Sequence, residues 1–369
     1  MFGTTGFMMG WSKRMNFMSK KSLYTIFRLH NYLRYKYSKR SEVVPYAPIH
    51  LSMVSTGRCN QNCSFCPTHS QLIPNDYEFC QQTTDDMSFD LFKYTVDRFD
   101  KAVSVSIIGA GEPFLNKDFF KMVKYAGEKK FMKVSTVSNG VILDTCIKEL
   151  VHSSLDYIQI SLNAHTQEYF EEFTGNNRVM FNRSYENTGR LVEYRNLVKS
   201  KLKIYISFIV DKKNWKLIPE FIKVGEKLKI DKIMLINMLP APYEGFTMEE
   251  RTLESKDRGV VDFLSSVIPH HKKNKVQLPI LLNSEETTPC CRSYFTTLRV
   301  DGAGNYSSCA RMMLNMEGNG KITDKEVWNS SFFRQARARF MNNKIENLPK
   351  PCQVCYTNIG ISPLDVYRS

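Results

Sequence analysis

The sequence contains no apolar run of about 18 residues, which is the length that a membrane-spanning helix needs. Lys and Arg interrupt its N-terminal apolar clusters, so no secretory signal is predicted. A cytoplasmic protein is therefore expected, in a compartment that disfavours disulfides. The 369 residues are 42% hydrophobic and 24% charged, a globular composition sufficient for one large domain or for two domains.

Acidic residues are absent from positions 1–40, which contain nine Lys or Arg residues. The net charge is +14, so the other 329 residues carry only +5 and nucleic acid is an improbable partner. Within residues 1–47, Leu23, Ile26 and Leu33 have roughly helical spacing. Two interpretations of this basic segment stay open: a helix packed on the body, or an amphipathic helix resting peripherally on an anionic membrane or a partner.

Short β-branched apolar runs alternate with helical patterns from residue 48 to about 240. The predicted strands are 49–56, 103–108, 133–138, 157–162, 203–210 and 232–238. The predicted helices between and after them are 88–100, 117–130, 144–152, 166–173, 182–199 and 215–229. The alternation predicts right-handed βαβ units and a parallel sheet, open or curled into a barrel, with function at the carboxyl ends of the strands.

The pattern changes after about residue 275. Turn residues between LRV and YSSC predict a hairpin near residues 298–309, and a helix is expected at 326–341. Residues 281–369 are therefore expected to form a small appended domain with a thin core, which its cysteines would help to hold together.

The ten cysteines fall mainly into two groups. Cys59, Cys63 and Cys66 directly follow the first predicted strand, and the late group consists of Cys290, Cys291, Cys309, Cys352 and Cys355. Such clustering indicates metal ligands rather than disulfide bridges. Three thiols leave the fourth coordination position of a bound metal open, and His69 and Cys80 are candidates for it. A closed structural zinc or iron site is the alternative.

The early motifs resemble those of the radical S-adenosylmethionine (radical SAM) enzymes. C-x3-C-x2-C has Phe65 before its last cysteine, Gly109-Ala110-Gly111-Glu112-Pro113 resembles the family's Gly-Gly-Glu-Pro element, and Ser138-Asn139-Gly140 and Ser161-Leu162-Asn163-Ala164 follow later strands. In that family three thiolates hold a [4Fe-4S] cluster whose fourth iron binds S-adenosylmethionine. Reductive cleavage then gives a 5′-deoxyadenosyl radical that abstracts hydrogen from the substrate.

The resemblance implies a partial (β/α)6 TIM-like barrel over residues 48–280 and an external electron donor such as flavodoxin or ferredoxin. It also implies which residues contact the cosubstrate. Those expected to bind S-adenosylmethionine are Phe65, Gly111, Glu112, Pro113, Ser138, Asn139, Ser161 and Asn163. Many relatives carry Asp where this chain has Asn163.

The late cysteines resemble a second family pattern. Cys291, twelve residues, Gly304, four residues and Cys309, followed by Cys352 and Cys355, resemble the SPASM domain and its shortened twitch form. No cysteine follows Cys355, so one auxiliary [4Fe-4S] cluster is expected, with a structural zinc as the alternative. Cys290 is then a neighbouring thiol or a hydrogen-atom donor.

The leading hypothesis is radical oxidation of a hydroxyl-bearing small molecule such as a sugar, cyclitol or nucleotide sugar. Weak candidates for a group near the reacting carbon are Cys290, Arg292, Arg299, Tyr294 and Tyr243. An epimerase with Cys290 or Cys146 as hydrogen donor, a peptide maturase, and a non-enzymatic iron-sulfur or nucleic-acid-binding protein are the alternatives.

Overall fold

The computed structural model describes residues 19–366 except 73–84, 240–241, 244–245, 248, 274, 284, 286–287, 290, 310–319 and 343. Six parallel strands alternate with helices and are neighbours in the sheet in the order that they have along the chain. This is a partial (β/α)6 barrel, so the predicted class is confirmed. No described helix is long and apolar enough to cross a membrane.

All six predicted strands are present, with bounds within two residues of those expected. The barrel strands are β1 (His50–Val54), β2 (Ser104–Ile108), β3 (Lys133–Ser138), β4 (Tyr157–Ser161), β5 (Lys203–Val210) and β6 (Lys232–Asn237). The other strands are β7 (Pro242–Tyr243), β8 (Phe246–Thr247), β9 (Val276–Gln277), β10 (Leu281–Leu282), β11 (Thr297–Val300), β12 (Tyr306–Ser307) and β13 (Gly360–Ile361).

The helices also follow the predicted pattern. They are α1 (Lys20–Tyr37), α2 (Phe89–Arg98), α3 (Phe119–Lys124), α4 (Ile147–His152), α5 (Gln167–Thr174), α6 (Arg178–Leu197), α7 (Ile218–Leu228), α8 (Arg258–Lys273), α9 (Ser293–Thr296), α10 (Ser331–Met341), α11 (Lys350–Gln353), α12 (Tyr356–Ile359) and α13 (Pro363–Val366). The helix expected at 117–130 is divided, because a π-helical turn (Tyr125–Lys129) follows α3.

The two faces of the barrel strands differ in polarity. Side chains that point toward the helices are apolar and fully buried, as Val105, Ile107, Ile158, Ile160 and Ile206 are. Because side chains alternate along a strand, the intervening residues line the inside of the barrel. There the Ser106 and Ser135 hydroxyls share a hydrogen bond of 2.9 Å, and Gln159 Nε2 donates to Ser207 Oγ at 3.0 Å. The middle of the barrel interior therefore has a polar layer, while Ile108, Ile209 and Ile236 are apolar inward residues nearer the carboxyl ends of the strands.

The C-terminal hairpin extends the barrel sheet, which the sequence did not predict. The predicted hairpin exists as the antiparallel pair β11 and β12, but β11 also pairs in parallel with β1, giving the strand order β12-β11-β1-β2-β3-β4-β5-β6-β9. This pairing satisfies backbone groups along the edge of β1. The aromatic side chains of α9 and α10 are part of the same hydrophobic cluster as the barrel, so their core is not thin.

Helix α1 packs against the barrel through polar side chains. Arg28 Nη1 donates to the Phe131 carbonyl at 2.8 Å, and Asn31 Nδ2 donates to the Ala47 carbonyl at 3.1 Å. Phe131 precedes β3 and Ala47 precedes β1, so α1 lies at the amino ends of the strands. These contacts agree with one of the two interpretations of this segment, the helix packed on the body.

Arg337 of α10 joins the C-terminal part to the residues before β1. Its side chain is fully buried and donates hydrogen bonds of 2.8–2.9 Å to the carbonyls of Tyr294, Glu42 and Trp328 and to Asn329 Oδ1. Burial lowers the pKa of the guanidinium to about 10, so it remains charged at neutral pH. A buried cation with four acceptors is stabilising only while all its partners stay in place.

Replacing Arg337 with Ala should strongly destabilise the protein. Four oxygens, two of them in buried hydrogen bonds, lose their donor, and a large cavity forms. We therefore expect the free energy of unfolding to fall by about 3–5 kcal/mol in denaturant titrations. Arg334→Ala, an exposed position on the same helix, is the matched control and should change it by less than about 0.5 kcal/mol. Equal effects of the two substitutions would contradict this role.

Candidate functional site

The early cysteines lie in the loop that follows β1, at the carboxyl end of the sheet. Cys59, Cys63 and Cys66 are all half-buried, and none forms a disulfide. His69 is in the described part of this loop, whereas Cys80 lies outside the described residues. The structure therefore keeps three thiols together at the end where parallel α/β folds have their active sites.

The loop after β2 holds the cysteine loop by direct backbone contact. Glu112 N donates to the Arg58 carbonyl at 2.8 Å, and Ala110 N donates to the Thr56 carbonyl at 2.9 Å. A Cβ atom at Gly111 would lie only 1.9 Å from the Arg58 carbonyl oxygen. Only glycine fits there, because any side chain would push the two loops apart.

Glu112 connects the ends of β2 and β3. Its side chain is 1% exposed and accepts hydrogen bonds from Ser138 Oγ at 2.9 Å and from Asn139 N at 2.8 Å. Burial raises the pKa of this carboxyl to about 7, and the hydrogen bonds that it accepts limit the rise. In this conformation Glu112 orients the β3 loop. Its expected contact with S-adenosylmethionine stays a prediction, as does that of the adjacent Pro113, which begins a short helical turn.

Asn139 brings the end of β3 to the cysteine loop. Its Nδ2 donates to Asn60 Oδ1 at 2.6 Å and lies 4.0 Å from Cys59 Sγ. Its backbone carbonyl accepts from Ser184 Oγ, and the following Gly140 has a φ of 81°, which glycine adopts without strain. The Ser138-Asn139-Gly140 turn is therefore positioned beside the first cysteine, and its expected contact with S-adenosylmethionine stays a prediction.

The turn between α5 and α6 holds the cysteine loop from the other side. Asn176 Nδ2 donates to Cys63 Sγ at 3.2 Å, while Asn176 Oδ1 accepts from Asn62 N at 3.1 Å. Ser64 N donates to the Thr174 carbonyl at 2.9 Å. Sequence reasoning did not find the contact between Asn176 and Cys63, because it joins residues 113 positions apart and a Gly-Asn pair indicates only a turn.

The remaining predicted contacts differ in accessibility. Phe65 packs on Phe173, with ring centroids 4.9 Å apart, and forms an apolar wall beside the cysteines. Ser161 is half-buried at the end of β4. Asn163 has a φ of 57°, a conformation that Asn tolerates well, and its Oδ1 accepts from Ile209 N at 3.2 Å. That side chain therefore joins β4 to β5. Its expected contact with S-adenosylmethionine stays a prediction.

The chemistry of the three early thiols suits a positively charged metal centre. Burial raises the pKa of each thiol, to about 12 for Cys63, where the neighbouring sulfurs of Cys66 and Cys59 add to the rise. Three such thiolates are unfavourable unless a metal centre compensates their charge. Among the described residues, however, no group of three or more His, Cys, Asp or Glu side chains is arranged to hold a single metal ion.

Four late cysteines line one cavity of about 190 Å³. They are Cys291, Cys309, Cys352 and Cys355. Asn358 joins two of their segments, since its Oδ1 accepts from Cys291 N at 3.1 Å and its Nδ2 donates to the Cys352 carbonyl at 2.9 Å. The buried Tyr294 side chain lies beside these thiols. Four thiols around one cavity fit a bound metal-sulfur group.

The other weak candidates are dispersed. Arg292 is exposed, and Cys290 and the side chain of Tyr243 lie outside the described residues. Cys146 lies in a groove on the outer face of the barrel between α4 and α6, which does not favour it as a hydrogen donor to a substrate inside the barrel. Arg299 is buried, and its Nη1 donates to Ser52 Oγ at 3.1 Å inside the barrel.

Together, the fold and the loop define an α/β barrel protein with three neighbouring cysteines at the strand ends. Residues 53–223 match the model of the Radical SAM superfamily. This part of the chain is therefore similar to radical SAM domains. Such domains bind a [4Fe-4S] cluster and S-adenosylmethionine, and the geometry and thiol chemistry of the cysteine loop fit that cofactor.

Solved structures with similar folds include SuiB of Streptococcus suis bound to S-adenosylmethionine, with a TM-score of 0.63 and 16% identity over 84% of this chain and 73% of that chain. Another is native anSMEcpe with bound AdoMet, with a TM-score of 0.57 and 14% identity over 85% of this chain and 89% of that chain. At these identities the likeness concerns the fold alone.

Two relatives are similar in sequence. A tungsten-containing aldehyde ferredoxin oxidoreductase cofactor-modifying protein of Pyrococcus furiosus is 26% identical over 198 residues, which are 52% of this chain and about half (52%) of that relative. A probable GTP 3′,8-cyclase of Saccharolobus islandicus is 25% identical over 274 residues, which are 73% of this chain and 81% of that relative.

Replacing Gly111 with Ala should prevent cluster assembly. The added methyl group cannot fit against Arg58, so the cysteine loop moves. With Cys352 and Cys355 replaced in all samples, we expect iron bound after anaerobic reconstitution to fall several-fold. Gly189→Ala in α6 is the matched control, because its nearest neighbour would be 3.7 Å away, and it should bind iron normally. Normal iron binding by Gly111→Ala would contradict the proposed constraint.

Removing the Asn176 amide should lower the reduction potential of the cluster at the early cysteines. Its N–H group donates to Cys63 Sγ and so favours the more negative, reduced state. For Asn176→Ala we expect a decrease on the order of 50 mV, the equivalent of about 1 kcal/mol. The measurement is a redox titration followed by electron paramagnetic resonance, with Cys352 and Cys355 replaced in all samples.

Asn177→Ala is the matched control for that titration. The Asn177 side chain caps α6 by accepting from Met180 N, so its loss should cost about 1 kcal/mol of stability without changing the potential. A shift of the same size in both variants would indicate a general loosening of the turn instead of a hydrogen bond to sulfur.

Proposed function

We propose that this protein is a radical SAM oxidoreductase that removes two hydrogens from a hydroxyl-bearing small molecule. The observation that carries the proposal is the convergence of Cys59, Cys63 and Cys66 in a loop held by the ends of β2 and β3. The cluster and S-adenosylmethionine together would supply a hydrogen-abstracting 5′-deoxyadenosyl radical. Single-electron reduction by an external donor such as flavodoxin or ferredoxin would be needed to start the reaction.

The residues around the loop would position the cosubstrate. The Phe65 ring and its partner Phe173 provide an apolar wall, and the turn at Ser138-Asn139-Gly140 and the end of β4 at Ser161 provide polar groups nearby. These groups would orient S-adenosylmethionine and exclude water from the reacting atoms.

The late cysteines would hold one auxiliary [4Fe-4S] cluster in a SPASM- or twitch-like region. Support comes from the cavity of about 190 Å³ that four thiols share and from Asn358, which joins the segments of Cys291 and Cys352 beside it. Oxidation of an alcohol carbon removes a hydrogen atom, a proton and an electron. An auxiliary cluster would accept that electron, and this is the reason for preferring oxidation to epimerisation.

The polar layer inside the barrel supports a hydroxyl-bearing substrate. Ser106, Ser135, Gln159 and Ser207 face inward and already form cross-strand hydrogen bonds, and buried Arg299 adds a positive charge on β11. Such a lining matches a sugar, a cyclitol or a nucleotide sugar better than an apolar side chain. The relative named as a GTP 3′,8-cyclase makes a nucleotide-bearing molecule a reasonable member of this range.

Iron content tests the two cysteine groups separately. We expect about eight irons per chain after anaerobic reconstitution, and about four when either Cys352 and Cys355 or the three early cysteines are replaced by Ala. Cys146→Ala is the control and should leave the iron content unchanged. About four irons in the unaltered protein would remove the auxiliary cluster, and zinc alone would remove the proposed chemistry.

The products distinguish oxidation from its alternatives. With dithionite and S-adenosylmethionine, candidate sugars and nucleotide sugars should release 5′-deoxyadenosine in equal amount to a product lighter by two hydrogens, as judged by mass spectrometry. Solvent deuterium in an unoxidised product would instead indicate epimerisation. If only peptides stimulated 5′-deoxyadenosine release, the small-molecule proposal would be wrong.

A further inference from the structure

Helix α1 turns two polar side chains inward, together with Tyr24 and Tyr35, and leaves most of its aliphatic side chains facing outward. Its buried residues are Arg28 and Asn31, which donate hydrogen bonds to the carbonyls of Phe131 and Asp100 and to those of Ala47 and Lys101. A helix on the surface of a globular protein normally buries its apolar face. The reversed arrangement needs a reason, because it leaves apolar surface in water.

The outward face is a continuous apolar stripe. Ile26, Leu29, Leu33 and Tyr37 are spaced by three or four residues and are 48%, 55%, 40% and 75% exposed. Phe27 is 48% exposed on one flank of the stripe and Tyr32 is 41% exposed on the other. Side chains at this spacing form one surface. Ile26, Leu29, Leu33 and Tyr37 together are called the α1 stripe.

Positive charge surrounds the α1 stripe. The exposed basic residues on α1 and directly after it are Lys20, Lys21, Arg34, Lys36, Lys39 and Arg40. No acidic residue occurs anywhere in positions 1–40. A second copy of α1 would bring like charges together, and a nucleic acid would neutralise the charge but leave the stripe in water. An anionic lipid surface satisfies both features, because phosphates meet the basic residues and the stripe enters the headgroup region.

The position of α1 in the fold agrees with this partner. The helix covers the amino ends of the barrel strands, whereas Cys59 and its neighbours lie at the carboxyl ends. A surface that bound α1 would leave the cysteine loop accessible to solvent, substrate and an electron donor.

We propose that the α1 stripe and the basic residues around it dock the protein peripherally on a membrane with anionic phospholipids. This inference is independent of the proposed reaction, since it uses only the exposure, spacing and charge of α1.

Vesicle flotation of the full-length protein tests the proposal. The protein should float with phosphatidylcholine vesicles that contain about one third phosphatidylglycerol and much less with phosphatidylcholine alone, and high salt should weaken binding. Replacing Ile26, Leu29 and Leu33 together with Ser should reduce the bound fraction at least about fivefold. These side chains are exposed, so the fold should be retained, as circular dichroism would verify.

A matched control uses apolar residues of equal exposure elsewhere. Val179→Ser with Leu197→Ser on α6, where the side chains are 64% and 76% exposed, should bind vesicles as the unaltered protein does. The proposal is overturned if the unaltered protein fails to float with anionic vesicles or if the α1 triple variant floats equally well. A dimer that dissociates in the triple variant, without vesicle binding, would identify a second copy as the partner instead.

Discussion

The cysteine loop depends on a backbone contact in which Gly111 lies directly against Arg58. This contact allows the ends of β1 and β2 to approach so closely that Glu112 N reaches the Arg58 carbonyl, and the buried Glu112 carboxylate then reaches Ser138 and Asn139. Three consecutive strand ends are thereby joined behind the thiols. A rigid support of this kind is needed where three thiolates must share one cofactor while a coordination position stays open.

The inner and outer faces of the barrel sheet differ in polarity because only the outer face packs against the helices. Apolar residues such as Ile107 and Ile160 pack against the helices and stabilise the fold, so the inward residues are free to be polar. The Ser106–Ser135 and Gln159–Ser207 pairs satisfy one another across neighbouring strands. The hydroxyl and amide lining therefore causes little loss of stability in an otherwise apolar fold. It offers hydrogen bonds to a substrate that enters from the end with the cysteines.

The sequence predicted the barrel and the thiol groups because both depend on local patterns. Alternating β-branched runs defined the six strands, and short spacings brought Cys59, Cys63 and Cys66 together. It did not predict that β11 pairs with β1 or that Asn176 contacts Cys63. Each of these contacts joins distant parts of the chain, and neither periodicity nor motif spacing carries that information.

The central claim is that the three early cysteines hold an iron-sulfur cluster with one iron open to S-adenosylmethionine. The most direct measurement is the electron paramagnetic resonance spectrum of the dithionite-reduced protein, with Cys352 and Cys355 replaced, before and after S-adenosylmethionine is added. The account predicts a reduced [4Fe-4S] signal whose g values change when the cosubstrate binds the open iron. A spectrum that stays the same after addition would contradict it.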